Sequence, residues 1–155
     1  ILVISEKKMY AEELEALGVK YGVNYLNYKV PGGFLTNFDT LKKRIESMNS
    51  MERFLETETY RSLTKKEQLV YQRKLARVFK IYKGVKNLSK KPDLVIVLDG
   101  LMMENLVNEI EKQKEIDSIL ICGTNFPRWW KEDGLIIANI NSHKSIDFIL
   151  KNILS

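Results

Sequence analysis

The chain has 155 residues, 45% of them hydrophobic and 29% charged, with a net charge of +5; this suits one globular domain and excludes collagen-like, low-complexity and wholly disordered chains. No apolar run approaches the ~18 residues of a membrane span. A single cysteine and a single histidine allow neither an internal disulfide nor a Cys/His metal site, so no metal is expected and the compartment reads as reducing.

The chain opens on Ile1–Ile4, apolar at every position, with no methionine, basic signal region or amphipathic presequence ahead of it. This first strand needs cover on both faces. The expectation is that another polypeptide, or residues upstream of Ile1, packs against it, making Ile1 and Val3 candidate partner contacts. Ser5 is a plausible cap for a helix carrying Tyr10, Leu14, Leu17 and Tyr21, which Gly18 would end. Val23–Tyr25 follows as a second strand. Lys29 then precedes Gly32-Gly33, a tight turn at a helix start whose backbone amides favour an anion such as phosphate. A turn without a ligand is the plainer alternative.

Thr36 or Asn37 caps a helix bearing Phe38, Leu41, Ile45 and Met48, the three–four spacing of a helix–helix seam. After a polar stretch around Glu56–Arg61, Thr64-Lys65-Lys66-Glu67 forms a capping box. The helix it opens has Leu69, Val70, Leu75, Val78 and Phe79 as its apolar side. Together these helices read as an antiparallel hairpin, at about residues 37–84, inserted into a single 1–155 domain. The strands resume at Leu94–Leu98, Ser118–Cys122 and Leu135–Ala138. One helix between them carries Met103, Leu106, Val107 and Ile110, and a last one carries Ile146, Ile149, Leu150 and Ile153. Continuous apolar strands alternating with helices predict an α/β fold, a doubly wound parallel sheet of about five strands.

Charge is concentrated in the hairpin. Residues 37–91 hold 15 Lys and Arg against six Asp and Glu, and Arg61–Lys91 alone has 11 basic residues and one acid, Glu67. Such a block reads as an anion-binding surface with nucleic acid the first candidate, or as a solvated helix face.

Chemistry is sparse. No G-x-G-x-x-G and no P-loop follows a strand, so no nucleotide cofactor is expected. Asp99, at the carboxyl end of the third strand, could hold Mg²⁺ or accept a phosphoryl group; capping the next turn is the favoured reading. His143 has no evident nucleophile or orienting partner. Cys122 lies in an apolar strand, as a buried small hydrophobe does. Trp129 and Trp130, in the polar loop from Gly123 to Gly134, either fold over the sheet or stack on a base or partner protein.

Five stretches carry a resemblance. Asn27-Tyr28-Lys29-Val30-Pro31-Gly32-Gly33-Phe34-Leu35-Thr36-Asn37-Phe38 resembles the N-H-R-W-L-G-G-x-L-T-N-W signature of the small-subunit ribosomal protein S-two family. Leu63-Thr64-Lys65-Lys66-Glu67 matches its L-T-K-K-E, and Gly84-Val85-Lys86 stands where it has G-I-K. Pro92–Asp99 is similar to its P-D-A-L-F-V-I-D, and Gly123-Thr124-Asn125 sits at its D-T-N. The resemblance implies a flavodoxin-like sheet with a helical hairpin, docked on small-subunit rRNA between head and body, without enzymatic activity or cofactor.

Departures occur at Tyr28 and Val30, where the family has His and Trp, at Pro31 for its leucine, and at Gly123 for its aspartate. The ending Ile140–Lys144 differs from its P-G-N-D-D, the loop holding the tryptophans is longer, and the family's region upstream of the first strand is absent. This drift, with 19 lysines to six arginines, points to a mitochondrial ribosome, with plastid ribosome and bacterial cytoplasm as alternatives.

The expected role is thus a structural constituent of the small ribosomal subunit, contacting rRNA and neighbouring ribosomal proteins. The expected rRNA contacts are Lys29, Gly32, Gly33, Thr36 and Asn37 with Lys65, Lys66, Arg73, Lys74, Arg77, Lys80 and Lys83. Trp129 and Trp130 are further candidate partner contacts. The rivals are an α/β enzyme or phospho-acceptor using Asp99, and an interaction module whose hairpin binds a partner helix.

Overall fold

The computed structural model describes residues 1–127 and 134–155. Five strands form one sheet: β1 (Leu2–Ile4), β2 (Asn24–Leu26), β3 (Leu94–Leu98), β4 (Asp117–Cys122) and β5 (Leu135–Ile137). Every pairing is parallel, in the order β2-β1-β3-β4-β5. This is the flavodoxin-like winding, with its switch point between β1 and β3. Helices α1 (Ala11–Tyr21), α2 (Phe38–Phe54), α3 (Glu58–Ser62), α4 (Lys65–Tyr82), α5 (Glu104–Lys112) and α6 (His143–Leu154), with 3₁₀ turns at Lys8–Tyr10 and Lys83–Val85, complete the described elements.

Strand alternation sorts the core into two layers. Leu2, Ile4, Val95, Val97, Leu120 and Cys122 pack with α2, α5 and the inner side of α4. Val3, Ile96, Leu98 and Ile121 pack with α1 and α6. The expectation of outside cover for β1 therefore fails. Leu2, Val3 and Ile4 are only 0%, 2% and 0% exposed within this chain, because its own helices cover both faces. Val3 has no surface to offer a partner, whereas Ile1 is 45% exposed. Trp129 and Trp130 lie outside the described residues.

Two helix boundaries depart from the sequence reading. Ser5 is buried, and its Oγ accepts from the Lys7 amide at 3.2 Å in a local turn. A 3₁₀ turn at Lys8–Tyr10 leads into α1. Gly18 does not end α1. The helix runs to Tyr21, and Gly22 takes the left-handed position, φ 65°, that closes it.

Gly18 is small for a packing reason: a Cβ there would come 2.4 Å from the Tyr25 ring. On the ring's other edge a Cβ at Gly84 would come 2.6 Å from the ring and 2.2 Å from the Tyr25 carbonyl oxygen. Edge strand β2 is held by this double approach. Gly84→Ala forces a backbone shift and is expected to cost about 2 kcal/mol, the usual scale of overpacking. An unchanged denaturation midpoint would refute the contact.

In the hairpin, Phe38, Leu41, Ile45 and Met48 are buried as their spacing predicts. Asn37 occupies the cap position of α2 without a side-chain cap bond; its amide instead donates to the Gly33 carbonyl at 2.8 Å. The polar link contains α3, capped by the Thr57 hydroxyl, which accepts from the Tyr60 amide at 3.3 Å. Phe54, Tyr60 and Tyr71 cluster at the turn, with centroids 5.0 to 5.9 Å apart.

The capping box is present: the Thr64 amide and hydroxyl donate to Glu67 Oε2 at 2.9 and 2.7 Å. These bonds to its side-chain and backbone partner hold the Glu67 carboxyl below its ordinary value of 4.5. Leu69, Val70 and Phe79, expected on the buried side of α4, are exposed; Leu75 and Tyr82 are the buried pair.

Candidate nucleic-acid interface

At 3.6 residues per turn, Tyr71, Leu75, Val78 and Tyr82 share the inner side of α4. The opposite half carries Lys65, Lys66, Arg73, Arg77 and Lys80, with Leu69 and Val70 among them, and Lys74 lies on its flank; all six basic side chains are exposed. Among the described residues, Lys65, Lys66, Arg73, Lys74 and Arg77 enter no ion pair. The acid nearest in sequence, Glu67, is engaged by Thr64.

The stripe continues into the sheet domain. Lys80 Nζ sits 4.0 Å from the centroid of the Tyr28 ring, a cation–π contact. Tyr28 and its neighbour Lys29 are exposed. The sequence reading took Tyr28 only as a lost family residue; its signal was an aromatic beside a lysine in the signature loop.

Lys83 is placed differently. Its ammonium pairs with Glu15 of α1 and fastens the foot of the hairpin to the sheet domain. Lys86 pairs with Glu52, Lys90 with Asp93 and Lys91 with Glu115. Among the described residues, the charge free of ion pairs is therefore narrower than the basic block in sequence, running from Arg61 to Lys80.

The Gly32-Gly33 turn already holds an anion. Glu109, reaching over from α5, accepts from the Gly33 amide at 2.6 Å and from the Leu35 amide at 3.0 Å. A phosphate at those two amides, as the sequence suggested, would have to displace a carboxylate. Gly32, Thr36 and Asn37 remain exposed beside this turn. A second carboxylate, Glu6, accepts from the Val30 amide at 2.8 Å. Glu6, Glu109 and Glu104 line a groove of about 470 Å³ between the Lys29–Gly32 loop and residues 101–106, an acidic lining that disfavours phosphate.

The carboxyl edge of the sheet is closed by Lys7. Its Nζ lies 3.1 Å from Asp99 Oδ2, 2.8 Å from Asn141 Oδ1 and 3.1 Å from the Ile140 carbonyl. The Tyr10 hydroxyl donates to that same carbonyl at 2.8 Å, and burial is the main cause that raises its pKa. Asp99 sits at φ 70°, and its Oδ1 accepts from the Met102 amide at 3.4 Å. It thus caps the following turn, the favoured sequence reading.

Lys7 places an ammonium at the switch point, where doubly wound folds bind ligands. His143, the first residue of α6, approaches Glu13 at 3.0 Å and meets Tyr10 edge-on. Cys122 is buried and accepts from the Gly100 amide at 3.3 Å; burial pushes its thiol up. Among the described residues no group of three or more His, Cys, Asp or Glu could hold a metal ion. No described helix is long and apolar enough to cross a membrane.

Known proteins resemble this chain throughout. The profile of the Ribosomal protein S2 family matches residues 1–155. A small ribosomal subunit protein uS2 of Francisella tularensis subsp. holarctica is 31% identical over 152 residues, covering 97% of this chain and 62% of the relative. The uS2 proteins of Helicobacter hepaticus and Amoebophilus asiaticus are 33% and 31% identical over 112 and 125 residues, which are 42% and 40% of their lengths. The chain therefore spans less than two thirds of these relatives. With the family profile covering every residue, the chain belongs to the Ribosomal protein S2 family.

Proposed function

We propose that this protein is a non-enzymatic constituent of the small ribosomal subunit that binds small-subunit rRNA and neighbouring ribosomal proteins. The observation that carries this reading is the exposed, unpaired cationic face of α4, leading through Lys80 and Tyr28 to Lys29. Lys65, Lys66, Arg73, Lys74 and Arg77 supply phosphate attraction, which positions the protein without reading sequence. Gly32, Thr36 and Asn37 flank the stripe as further candidate contacts. Gly33 serves chiefly to present its amide to Glu109, and Lys83 to anchor the hairpin.

Family membership, together with the Lys7–Asp99 pair at the carboxyl edge, weighs against the enzyme alternative. The mitochondrial ribosome stays part of the proposal on the departures from the family pattern and the preference for lysine over arginine; the relatives named above are bacterial. Recovery of the chain only with cytoplasmic ribosomes would overturn that compartment.

The test is rRNA binding measured across a salt series. Five or six phosphate contacts give a slope of log affinity against log salt on the order of −5. A binding curve that does not move between low and moderate salt would refute the electrostatic interface. It would instead favour a hairpin that docks a partner helix through apolar contacts.

A further inference from the structure

The cationic face of α4 is not uniform. Lys65 and Lys66 form one cluster at its start, and Arg73, Lys74 and Arg77 form a second two turns later. With a rise of 1.5 Å per residue, Lys66 and Arg73 are separated by about 10 Å along the axis. Between the clusters lie Leu69 and Val70, 47% and 58% exposed. Val70 also borders an open cleft of about 540 Å³ with Leu63 and Tyr71, flanked by Lys66 and Lys74. A face made only to attract phosphate has no use for two aliphatic side chains at its centre, where their exposure to water is unfavourable.

We infer that α4 lies against the shallow minor groove of double-helical RNA, and this rests on the rRNA-binding reading above. Lys65 and Lys66 reach one phosphate row, and Arg73, Lys74 and Arg77 reach the other. Leu69 and Val70 rest on the ribose edges between them. The opposite groove of A-form RNA is deep and narrow, and a helix about 10 Å across with its side chains does not enter it. The minor groove is wide and exposes sugar edges and 2′-hydroxyls. Single-stranded RNA is the other RNA target, and it favours aromatic stacking platforms; α4 turns Tyr71 and Tyr82 inward, its exposed Phe79 borders a cleft against α2 with Glu52 and Leu55, and the cationic face presents aliphatics instead.

The experiment compares binding of the full chain to an RNA duplex of about 16 base pairs, the same duplex in DNA, and either RNA strand alone. The RNA duplex is expected to bind tightest, on the order of tenfold above DNA, the scale of one or two lost 2′-hydroxyl contacts. Replacing Lys65 and Lys66 with glutamine, or Lys74 and Arg77 with glutamine, should each flatten the salt slope by about two. Leu69→Asn and Val70→Thr, both at exposed positions, should weaken duplex binding several-fold with the slope unchanged.

Equal affinity for RNA and DNA duplexes, preference for a single strand, or indifference to Leu69→Asn and Val70→Thr would each overturn the minor-groove placement. Salt-sensitive binding to small-subunit rRNA alongside any of these results would leave the rRNA reading standing. Absence of binding to any RNA, with capture of an acidic amphipathic peptide, would remove both readings and assign the face to a protein.

Discussion

Replacing Arg73, Lys74 and Arg77 together with glutamate is expected to leave the protein folded and to weaken rRNA binding by several hundredfold or more. All three side chains are exposed and, among the described residues, unpaired. Surface changes of this kind alter stability by about 0.5 kcal/mol or less. The native charges even oppose the helix, since Arg73 and Arg77 are like charges one turn apart, an arrangement that destabilises a helix by a few tenths of a kcal/mol.

Their retention on one face is accounted for by an anion outside the chain. Each phosphate contact contributes a slope of about 0.9, so losing three costs on the order of 500-fold at about 0.1 M salt, before repulsion by the new carboxylates is added. Circular dichroism checks the fold, and binding to rRNA with incorporation into small subunits checks the interface. A folded triple variant that incorporates normally removes α4 from the interface.

The sheet was readable because its central strands β1 and β3 are buried on both faces. Leu94–Leu98 and Ile119–Cys122 are apolar throughout, and no helical surface stripe has that pattern. Phe38, Leu41, Ile45 and Met48 were readable by their spacing, and Thr64 with Glu67 by a local motif that closes within one turn. The chain resembles its family along this same framework, and the family match confirms that resemblance.

What stayed hidden depends on partners distant in sequence. Glu109 reaches the Gly33 amide across 76 positions, and Lys83 reaches Glu15 across 68. Periodicity cannot report such pairs, so Gly33 looked like an anion site and Lys83 like a free cation. Gly18 looked like a helix end because a glycine required by a neighbouring ring is indistinguishable in sequence from one required by a turn. The apolar side of α4 was misread for a related reason. Leu69 and Val70 were counted by composition, whereas Tyr71, Leu75, Val78 and Tyr82 keep the three–four spacing that the packed side needs.

Lys7→Met is expected to lower stability by about 3 kcal/mol or more. Asp99 would be left as a carboxylate only 9% exposed, in a left-handed backbone conformation, with a long 3.4 Å bond from Met102 as its remaining side-chain partner. Breaking one side of a buried ion pair typically costs about 3–5 kcal/mol, because the surviving charge is stranded. Asp99→Asn should be milder. Asparagine tolerates the left-handed conformation, and Lys7 retains Asn141 Oδ1 and the Ile140 carbonyl as acceptors.

The double variant removes both charges and should recover part of the loss, giving a coupling of about 1–3 kcal/mol in a mutant cycle read from denaturation midpoints. This pair bears on function as well as on stability. In a doubly wound sheet the region beyond β1 and β3 is where a phospho-acceptor aspartate or a bound cofactor would work. Here β1, β3 and the segment before α6 are joined there by one ammonium group. If Lys7→Met is neutral and additive with Asp99→Asn, the carboxyl edge is not locked, and Asp99 returns as a candidate for chemistry. A strong coupling makes the edge a structural joint, leaving α4 and the Tyr28–Lys29 loop as the surface through which this domain meets RNA.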